Sequence, residues 1–242
     1  MSELSVLRLK KNEERRLRAG HLWVFSNEVD GEKTPLKRFA PGEYVIVEDS
    51  RQQPLGLAYV NPESLICARL LSRDHRVAID HAFLLKRLSR ALHLREMLFA
   101  KPYYRLVYGE SDGLPGLVID RLGDVLVLQA STLGAERLQE QVMDVLDKLL
   151  SPRTLVLKNT SSLRQSEKLE NYVRVLGAPL EGPIPIEENG ARFLVDPVEG
   201  QKTGWFFDHR LNRAVAAQLS KCQRVLDLFS YTGGWGVQAA LG

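Results

Sequence analysis

Hydrophobic and polar positions follow three different patterns along the chain. Within residues 1–72, short alternating segments such as residues 44–48 are separated by turn pairs such as Asn61-Pro62. An alternation with a period of two is typical of strands that have one buried face. This first stretch therefore predicts a small β-rich unit.

The second stretch, residues 73–180, mixes helical and strand periodicities. Leucines recur at helical spacing over residues 82–99, and a second amphipathic pattern predicts another helix. The second helix carries in register Leu138, Val142, Val145, Leu146 and Leu149. Four apolar segments are typical of strands, namely residues 104–108, 117–119, 125–129 and 154–158. Together these elements predict a compact α/β unit.

The third stretch, residues 181–242, begins with the strongest hairpin signal in the chain, Asn189-Gly190 between two apolar segments. After the segment QKTGWFFDHR at residues 201–210 and one short helix comes an apolar run at residues 225–229. Glycines follow this run at once. This order predicts a buried parallel strand, a glycine turn and a final helix at residues 235–241.

Composition and charge exclude few functional classes. The hydrophobic fraction is 44%, the charged fraction is 26% and the formal net charge is +3, which permits a nucleic-acid partner without requiring one. Cys67 and Cys222 lie far apart and form neither a metal-binding pattern nor a disulfide framework. No apolar run approaches the length of a membrane span and no signal core opens the chain, so we expect a cytoplasmic protein without a membrane partner.

The glycine turn predicts a site for a small anionic group. Backbone N–H groups at the start of a helix are unpaired, and their partial positive charge suits a carboxylate or a phosphate. The glycines at positions 233, 234 and 236 are spaced G-G-x-G, whereas a dinucleotide fold requires G-x-G-x-x-G. A dinucleotide-dependent oxidoreductase is therefore disfavoured.

Several motifs together resemble one enzyme family. Asp227, Phe229 and Gly233 resemble the first motif of class I S-adenosylmethionine methyltransferases, with Tyr231 where many members have another glycine. The upstream QKTGWFFDHR segment and the GESDGLPG string at residues 109–116 extend the likeness. In this order, the motifs resemble those of bacterial 23S rRNA cytosine-C5 methyltransferases that carry an N-terminal PUA domain.

The first stretch is similar to a PUA domain, an RNA-binding β pseudobarrel, in its order of strand, basic turn and Trp-containing strand. We expect Trp23 and Phe25 to be core residues rather than platforms for stacked bases. The resemblance implies a multidomain α+β and α/β fold. Its parts are a PUA-like unit (1–72), a central α/β unit (73–180), and a hairpin with the start of a Rossmann-like methyltransferase domain (181–242).

The resemblance implies two sets of binding residues. The residues expected to bind S-adenosylmethionine are Gln201, Lys202, Thr203, Gly204, Phe207, Asp208, Arg210, Asp227, Phe229, Ser230, Tyr231, Thr232, Gly233 and Gly234. The residues expected to contact ribosomal RNA are Lys10, Lys11, Arg15, Arg16 and Arg18, with a solvated basic face as the alternative.

Some of these residues also have purely structural interpretations. Asp208 could simply cap the helix that follows it. Trp205, Phe206 and Trp235 suit packing better than ligand contact, and Arg213 is as consistent with an exposed position as with a site. We interpret Glu110 and Asp112 as turn residues rather than as a catalytic acid pair, because Asp112-Gly113 and Pro115-Gly116 are turn dipeptides.

The family chemistry places the nucleophile elsewhere. Carbon 5 of cytosine is a poor nucleophile, so members of the family use a cysteine thiolate that adds to carbon 6 before methyl transfer. Neither Cys67 nor Cys222 matches that position, so no catalytic residue is predicted. Because such a domain needs further βα units after its glycine turn, we expect that this sequence is part of a longer protein and that alone it is inactive. Residues 225–229 would then expose a strand edge, so a homodimer is also an expectation.

Two alternatives remain open at this point. A related rRNA methyltransferase acting at another atom, such as guanine N7, would share the FFDHR and LFSYTGG segments. A non-catalytic RNA-binding module would keep the glycine turn for structural reasons only.

Overall fold

The computed structural model describes residues 4–221 and 223–242, so Cys222 lies outside the described residues. The first unit is a five-stranded sheet in the order β1-β3-β4-β5-β2, in which β1 runs parallel to β3 and the other pairs are antiparallel. Its elements are β1 (Ser5–Arg8), α1 (Glu14–Arg18), β2 (Trp23–Phe25), β3 (Glu43–Glu48), β4 (Pro54–Val60) and β5 (Ile66–Ser72).

The core of this first unit contains Val24, Val45, Val47 and Leu17 of α1, but Trp23 lies outside it. The prediction of a core position for Trp23 is wrong, because its indole is 37% exposed and donates a hydrogen bond to Glu110 across 2.6 Å. Only Val24, between the two aromatic residues of β2, points into the core.

The central unit is a second five-stranded sheet in the order β10-β9-β8-β7-β6. Its elements are α2 (His81–Leu98), β6 (Tyr103–Tyr108), β7 (Leu117–Leu122), β8 (Val125–Ala130), α3 (Leu133–Leu150), β9 (Thr154–Asn159), α4 (Leu163–Ser166) and β10 (Tyr172–Gly177). Both predicted long helices are present, and α2 begins within one residue of the predicted start. The Asp80 carboxylate accepts from the Phe83 N–H at the start of α2, and the Thr132 hydroxyl accepts from the Ala135 N–H at the start of α3.

The edge strand β10 was not predicted from the sequence. Its apolar residues Val173 and Val175 are 40% and 39% exposed, so its pattern is not that of a buried strand. The strand forms because its backbone pairs antiparallel with β9 over six residue pairs.

The inner strands of the central sheet are buried on both faces, and alternate residues of β8 belong to two different cores. Leu126 and Leu128 of β8 face α2 and α3, whereas Val125 and Val127 face the third unit. That third unit begins with the hairpin β11 (Ile184–Glu188) and β12 (Ala191–Val195), which confirms the Asn189-Gly190 turn. It continues with α5 (Arg210–Leu219) and α6 (Gly234–Leu241).

The predicted strand at residues 225–229 is wrong. This segment has no regular secondary structure, and Leu226, Leu228 and Phe229 are among its strongly exposed residues. A parallel strand is stable only when strands flank it and both faces are covered, and no described strand pairs with this segment. The expected homodimer stays a prediction.

Side chains tie the first unit to the central unit. The Tyr59 hydroxyl lies 2.8 Å from the Thr132 hydroxyl, the Asn61 amide donates to Glu167 across 2.7 Å, and Arg69 pairs with Glu110 at 3.1 Å. The domain boundaries at residues 72 and 180 remain predictions. No helix in the described part of the chain is both long enough and apolar enough to span a membrane.

We predict that Gly134→Ala lowers the free energy of unfolding. Alanine normally stabilises a helix by about 1 kcal/mol relative to glycine, but a Cβ at position 134 would lie 2.3 Å from the Tyr59 ring. Overpacking of this kind costs roughly 1–3 kcal/mol, so the clash outweighs the helix propensity. Urea denaturation would measure the change.

A double-mutant cycle tests the reason for that loss. In the Tyr59→Ala background the clash is absent, so the same Gly134→Ala change should raise stability. Destabilisation of equal size in both backgrounds would contradict the Tyr59 contact as its cause.

Candidate cofactor cleft and basic surface

The QKTG segment and the glycine turn meet at a cleft of about 170 Å³. One side chain joins the two segments, because the Tyr231 hydroxyl accepts from the Gln201 N–H at 3.1 Å and donates to the Gly204 carbonyl at 3.3 Å. The predicted residues that line this cleft are Gln201, Phe229, Ser230, Tyr231, Thr232 and Gly234. The two motifs are therefore neighbours in space as well as in sequence.

The glycine turn adopts left-handed backbone conformations. Phe229, Tyr231 and Gly233 have φ angles of 58°, 52° and 74°, and only the glycine takes such an angle without strain. Gly234 permits close packing, because a Cβ there would lie 2.9 Å from the Trp205 ring. The turn thus delivers the chain into α6 with the first N–H groups of that helix at the cleft.

Asp227 supports the turn from the irregular segment before it. One of its carboxylate oxygens accepts from the Gly236 N–H at 2.9 Å, in the first turn of α6. This bond caps a helix start, where a negative charge is favourable. A role for Asp227 in cofactor binding, expected from the sequence, stays a prediction.

Thr203 is buried away from the cleft. Its hydroxyl donates to the carboxylate of Asp120 in β7, a fully buried residue that also accepts two hydrogen bonds from Arg105, at 2.9 and 3.1 Å. Burial raises the pKa of Asp120, and the Arg105 charge and the Thr203 hydroxyl oppose that rise. Thr203 therefore fastens the QKTG segment to the central sheet.

A second tie comes from β9. The Lys158 ammonium donates to the Gly200 carbonyl, immediately before the QKTG segment. Burial lowers the pKa of Lys158, while the nearby Asp196 and Glu199 partly oppose that effect. Gly204 has a φ of 99°, and a Cβ there would lie 2.7 Å from the Asp196 carbonyl oxygen. The backbone path of this segment is thus set by the strands beneath it.

Phe207, Asp208 and Arg210 lie apart from the six predicted residues that line the first cleft. They line a separate, mostly apolar cleft of about 380 Å³ beside the end of α2. Arg210 lies over the Phe99 ring at 4.5 Å. Asp208 does not cap α5, since the residue before that helix is His209 and no side chain caps it. Lys202 is exposed, with its ammonium 4.4 Å from the Phe206 ring centre.

Several residues of the first cleft were not predicted to be in it. Phe206, His209, Arg213 and Trp235 line it together with the predicted residues. Arg213 is buried, not exposed. The available signal was position, since Phe206 and His209 belong to the same WFFDHR run as the predicted residues.

Glu188, at the end of β11, holds this region together and was also missed. Its buried carboxylate accepts hydrogen bonds from three side chains of three different segments. The donors are Trp205 at 2.9 Å, Arg213 at 2.7 Å and Gln238 of α6 at 3.0 Å. The hairpin, α5 and α6 are therefore joined through one charge.

The predicted RNA-binding cluster around α1 is largely engaged with the protein itself. Arg16 pairs with Glu28 at 2.7 Å and Arg18 pairs with Asp49 at 2.9 Å. Lys10 donates to the Asn27 carbonyl at 2.8 Å. Within the described residues, only Lys11 and Arg15 of the cluster are exposed without a hydrogen-bond or ion-pair partner.

We predict that Glu188→Gln lowers the free energy of unfolding by about 3–5 kcal/mol, because removing one partner leaves the Arg213 charge buried and unpaired. Urea denaturation would give the value, and amide hydrogen exchange would show whether α5 and α6 lose protection. The neighbouring Glu187→Gln is the matched control, since Glu187 pairs with an exposed lysine and its loss should change stability far less. Equal losses in the two variants would contradict the central role of Glu188.

Comparisons with known proteins match two stretches of the chain, and the second begins inside the predicted central unit. Residues 7–73 match the family model of a PUA-like domain, and residues 147–242 match that of an S-adenosylmethionine-dependent methyltransferase. Two curated relatives, from Cronobacter sakazakii and Shewanella denitrificans, are both called "Ribosomal RNA large subunit methyltransferase I". They are 37% and 38% identical to this chain over 97% of its length, and the chain spans 59% of theirs.

Solved structures agree at the level of the fold. A proposed methyltransferase complexed with SAH superposes with a TM-score of 0.83 at 21% identity, over 99% of this chain and 60% of the other. A proposed SAM-dependent methyltransferase from Streptococcus mutans gives 0.81 at 21% identity, over 99% and 61%. The chain therefore has one stretch that matches the model of a PUA-like domain and another that matches the model of an S-adenosylmethionine-dependent methyltransferase.

Proposed function

We propose that this chain serves S-adenosylmethionine-dependent methylation of large-subunit ribosomal RNA, with carbon 5 of a cytosine as the methylated atom. The proposal rests on the sequence identity of 37% and 38%, over 97% of this chain, to two relatives whose names refer to large-subunit ribosomal RNA. The motif resemblance supports the finer choice of atom. We further propose that the reaction takes place in the cytoplasm, where bacterial ribosomal RNA is modified.

The cleft beside the glycine turn suits the methionine end of the cofactor. The hydroxyl oxygen of Thr232 is buried without a hydrogen-bond partner among the described residues, and such atoms are rare in proteins unless a ligand or water satisfies them. The N–H groups at the start of α6 favour a carboxylate. The cleft volume of about 170 Å³ is below the roughly 300–1,000 Å³ of whole-ligand pockets, so it fits one part of the cofactor.

The residues of this cleft would bind and orient, while the cofactor supplies an electrophilic methyl group on its sulfonium. Gln201 and Thr232 line the cleft and would offer it hydrogen bonds. Asp227 lines another cleft that shares Trp235 with the first. Gly236 uses only one of its carboxylate oxygens, so the other would accept from an amino group of a cofactor that extends there. Phe229 is fully exposed beside the cleft and can cover apolar parts of the ligand.

Cys67 does not supply the nucleophile. Its thiol, on strand β5, is fully buried in the core of the first unit, and burial raises its pKa to about 12. The thiolate is the reactive form, so this side chain is inert at neutral pH. A cysteine mechanism at carbon 6 of cytosine would use a residue outside the described set.

We predict that saturation-transfer NMR on the 242-residue chain detects S-adenosylmethionine but not NAD, with the strongest signal on the methionine protons. Gly233→Ala should abolish the signal, because its φ of 74° disfavours a side chain. Gly123→Ala is the matched control, with a φ of 73° in the turn between β7 and β8, where a Cβ would meet only the Tyr103 ring at 3.6 Å. Equal signals from NAD, or none from S-adenosylmethionine, would refute cofactor binding at this turn.

The methylated atom can be read from cellular RNA. We predict that disrupting the gene removes one 5-methylcytidine from large-subunit rRNA, as measured by nucleoside mass spectrometry, and that the intact gene restores it. Loss of 7-methylguanosine instead would favour the guanine N7 alternative. An unchanged set of methylated nucleosides would reject the rRNA substrate.

A further inference from the structure

A second cleft lies where the first unit meets the central unit, away from the glycine turn. Its volume is about 460 Å³, within the usual range for a site that holds a small molecule or a nucleotide. It is bounded by the end of β5, by α2 and by the turn that contains Glu110–Gly113. It shares no lining residue with the cofactor cleft.

The charges of this cleft are not balanced, although equal numbers of cations and anions line it. The three carboxylates are each neutralised by an arginine that is not part of the lining. These pairs are Asp74 with Arg76 at 3.2 Å, Glu110 with Arg69 at 3.1 Å, and Asp112 with Arg95 at 2.6 Å.

The cations of the lining are Arg73, Arg87 and Arg90, and within the described residues none of them forms an ion pair. The cleft and its immediate neighbours therefore carry an excess of three positive charges. Low-dielectric walls strengthen the field of charges held in a cleft, so this one should attract anions.

Two of these guanidinium groups are held in place by neutral acceptors. Arg73 donates to the Leu17 carbonyl at 2.8 Å, and Arg87 donates to the Leu71 carbonyl at 3.1 Å. A carbonyl fixes the position of a guanidinium while leaving its full charge available. A guanidinium also has five donors, so N–H groups remain free for a bidentate contact.

Gly113 keeps space open for Arg87. A Cβ at this position would lie 1.9 Å from one guanidinium nitrogen of Arg87, and the φ of 72° also disfavours a side chain. A side chain at position 113 would displace Arg87 from the cleft, which explains why this turn has a glycine. Burial and the neighbouring charge of Arg90 lower the pKa of Arg87, as expected for cations placed together without a counterion.

We propose that Arg73, Arg87 and Arg90 form a binding site for the phosphate backbone of the RNA substrate, at the junction of the first and central units. The inference rests on the proposed function, since it names where that RNA is held. Planar guanidinium groups recognise phosphates by paired hydrogen bonds. Arg73 also bonds to the Leu17 carbonyl of α1, which fixes it between the first and central units.

The test is the salt dependence of binding of a fluorescein-labelled oligouridylate, followed by fluorescence anisotropy. Each phosphate contact contributes about 0.7 to the slope of log K against log salt for a single strand. The double variant Arg87→Gln/Arg90→Gln should therefore reduce the slope by about 1.4 and weaken binding at low salt by about tenfold or more. The variant Arg87→Lys/Arg90→Lys keeps both charges and should keep the slope.

The matched control is Arg174→Gln/Arg192→Gln, which removes the same charge from two exposed arginines outside the cleft. It should change the slope much less than the cleft variant. Thermal unfolding would verify that all variants fold, and S-adenosylmethionine signals in NMR should be the same in each.

The outcomes separate the inference from the proposed function. If the wild-type chain binds RNA and the cleft variant binds no more weakly than the control, the cleft assignment is overturned and the proposed function stands. If the wild-type chain binds no RNA while it binds S-adenosylmethionine, the RNA substrate fails and the cleft assignment fails with it. A loss confined to the cleft variant supports the site.

Discussion

The buried carboxylate of Asp120 is the interaction on which the arrangement of the two motifs depends. It accepts from Arg105 of the neighbouring strand and from Thr203, 83 residues later in the chain. A carboxylate without contact to water is tolerated only when its partners are complete. The QKTG segment is therefore one of the groups that the central sheet requires, and its position follows from the electrostatics of the sheet.

Glu188 is a second buried carboxylate whose hydrogen-bond donors come from separate segments of the chain. Asp120 joins the central sheet to the QKTG segment, and Glu188 joins the hairpin to the two helices that flank the glycine turn. Hydrophobic burial alone would allow these pieces to slide, since it has no direction. Directed hydrogen bonds to two buried anions select one arrangement, and the cleft between the motifs is its result.

Local patterns predicted the elements well and their partners poorly. The long helices and the hairpin followed from periodicity and turn residues, because those signals act over a few positions. The contacts of Thr203 and Trp23 could not be predicted, because their partners, Asp120 and Glu110, are 83 and 87 residues away. The strand expected at residues 225–229 failed for a related reason, since a buried strand needs neighbours that its own sequence does not specify.

The contacts between the first and central units make it difficult to replace one unit without changing the other. Here Gly134 leaves room for the Tyr59 ring, and Glu110 is shared between Trp23 and Arg69 of the first unit. A transplanted domain would leave Glu110 without either donor, so substitutions on the two sides of this boundary are expected to coevolve, and chimaeras that ignore it should be poorly folded.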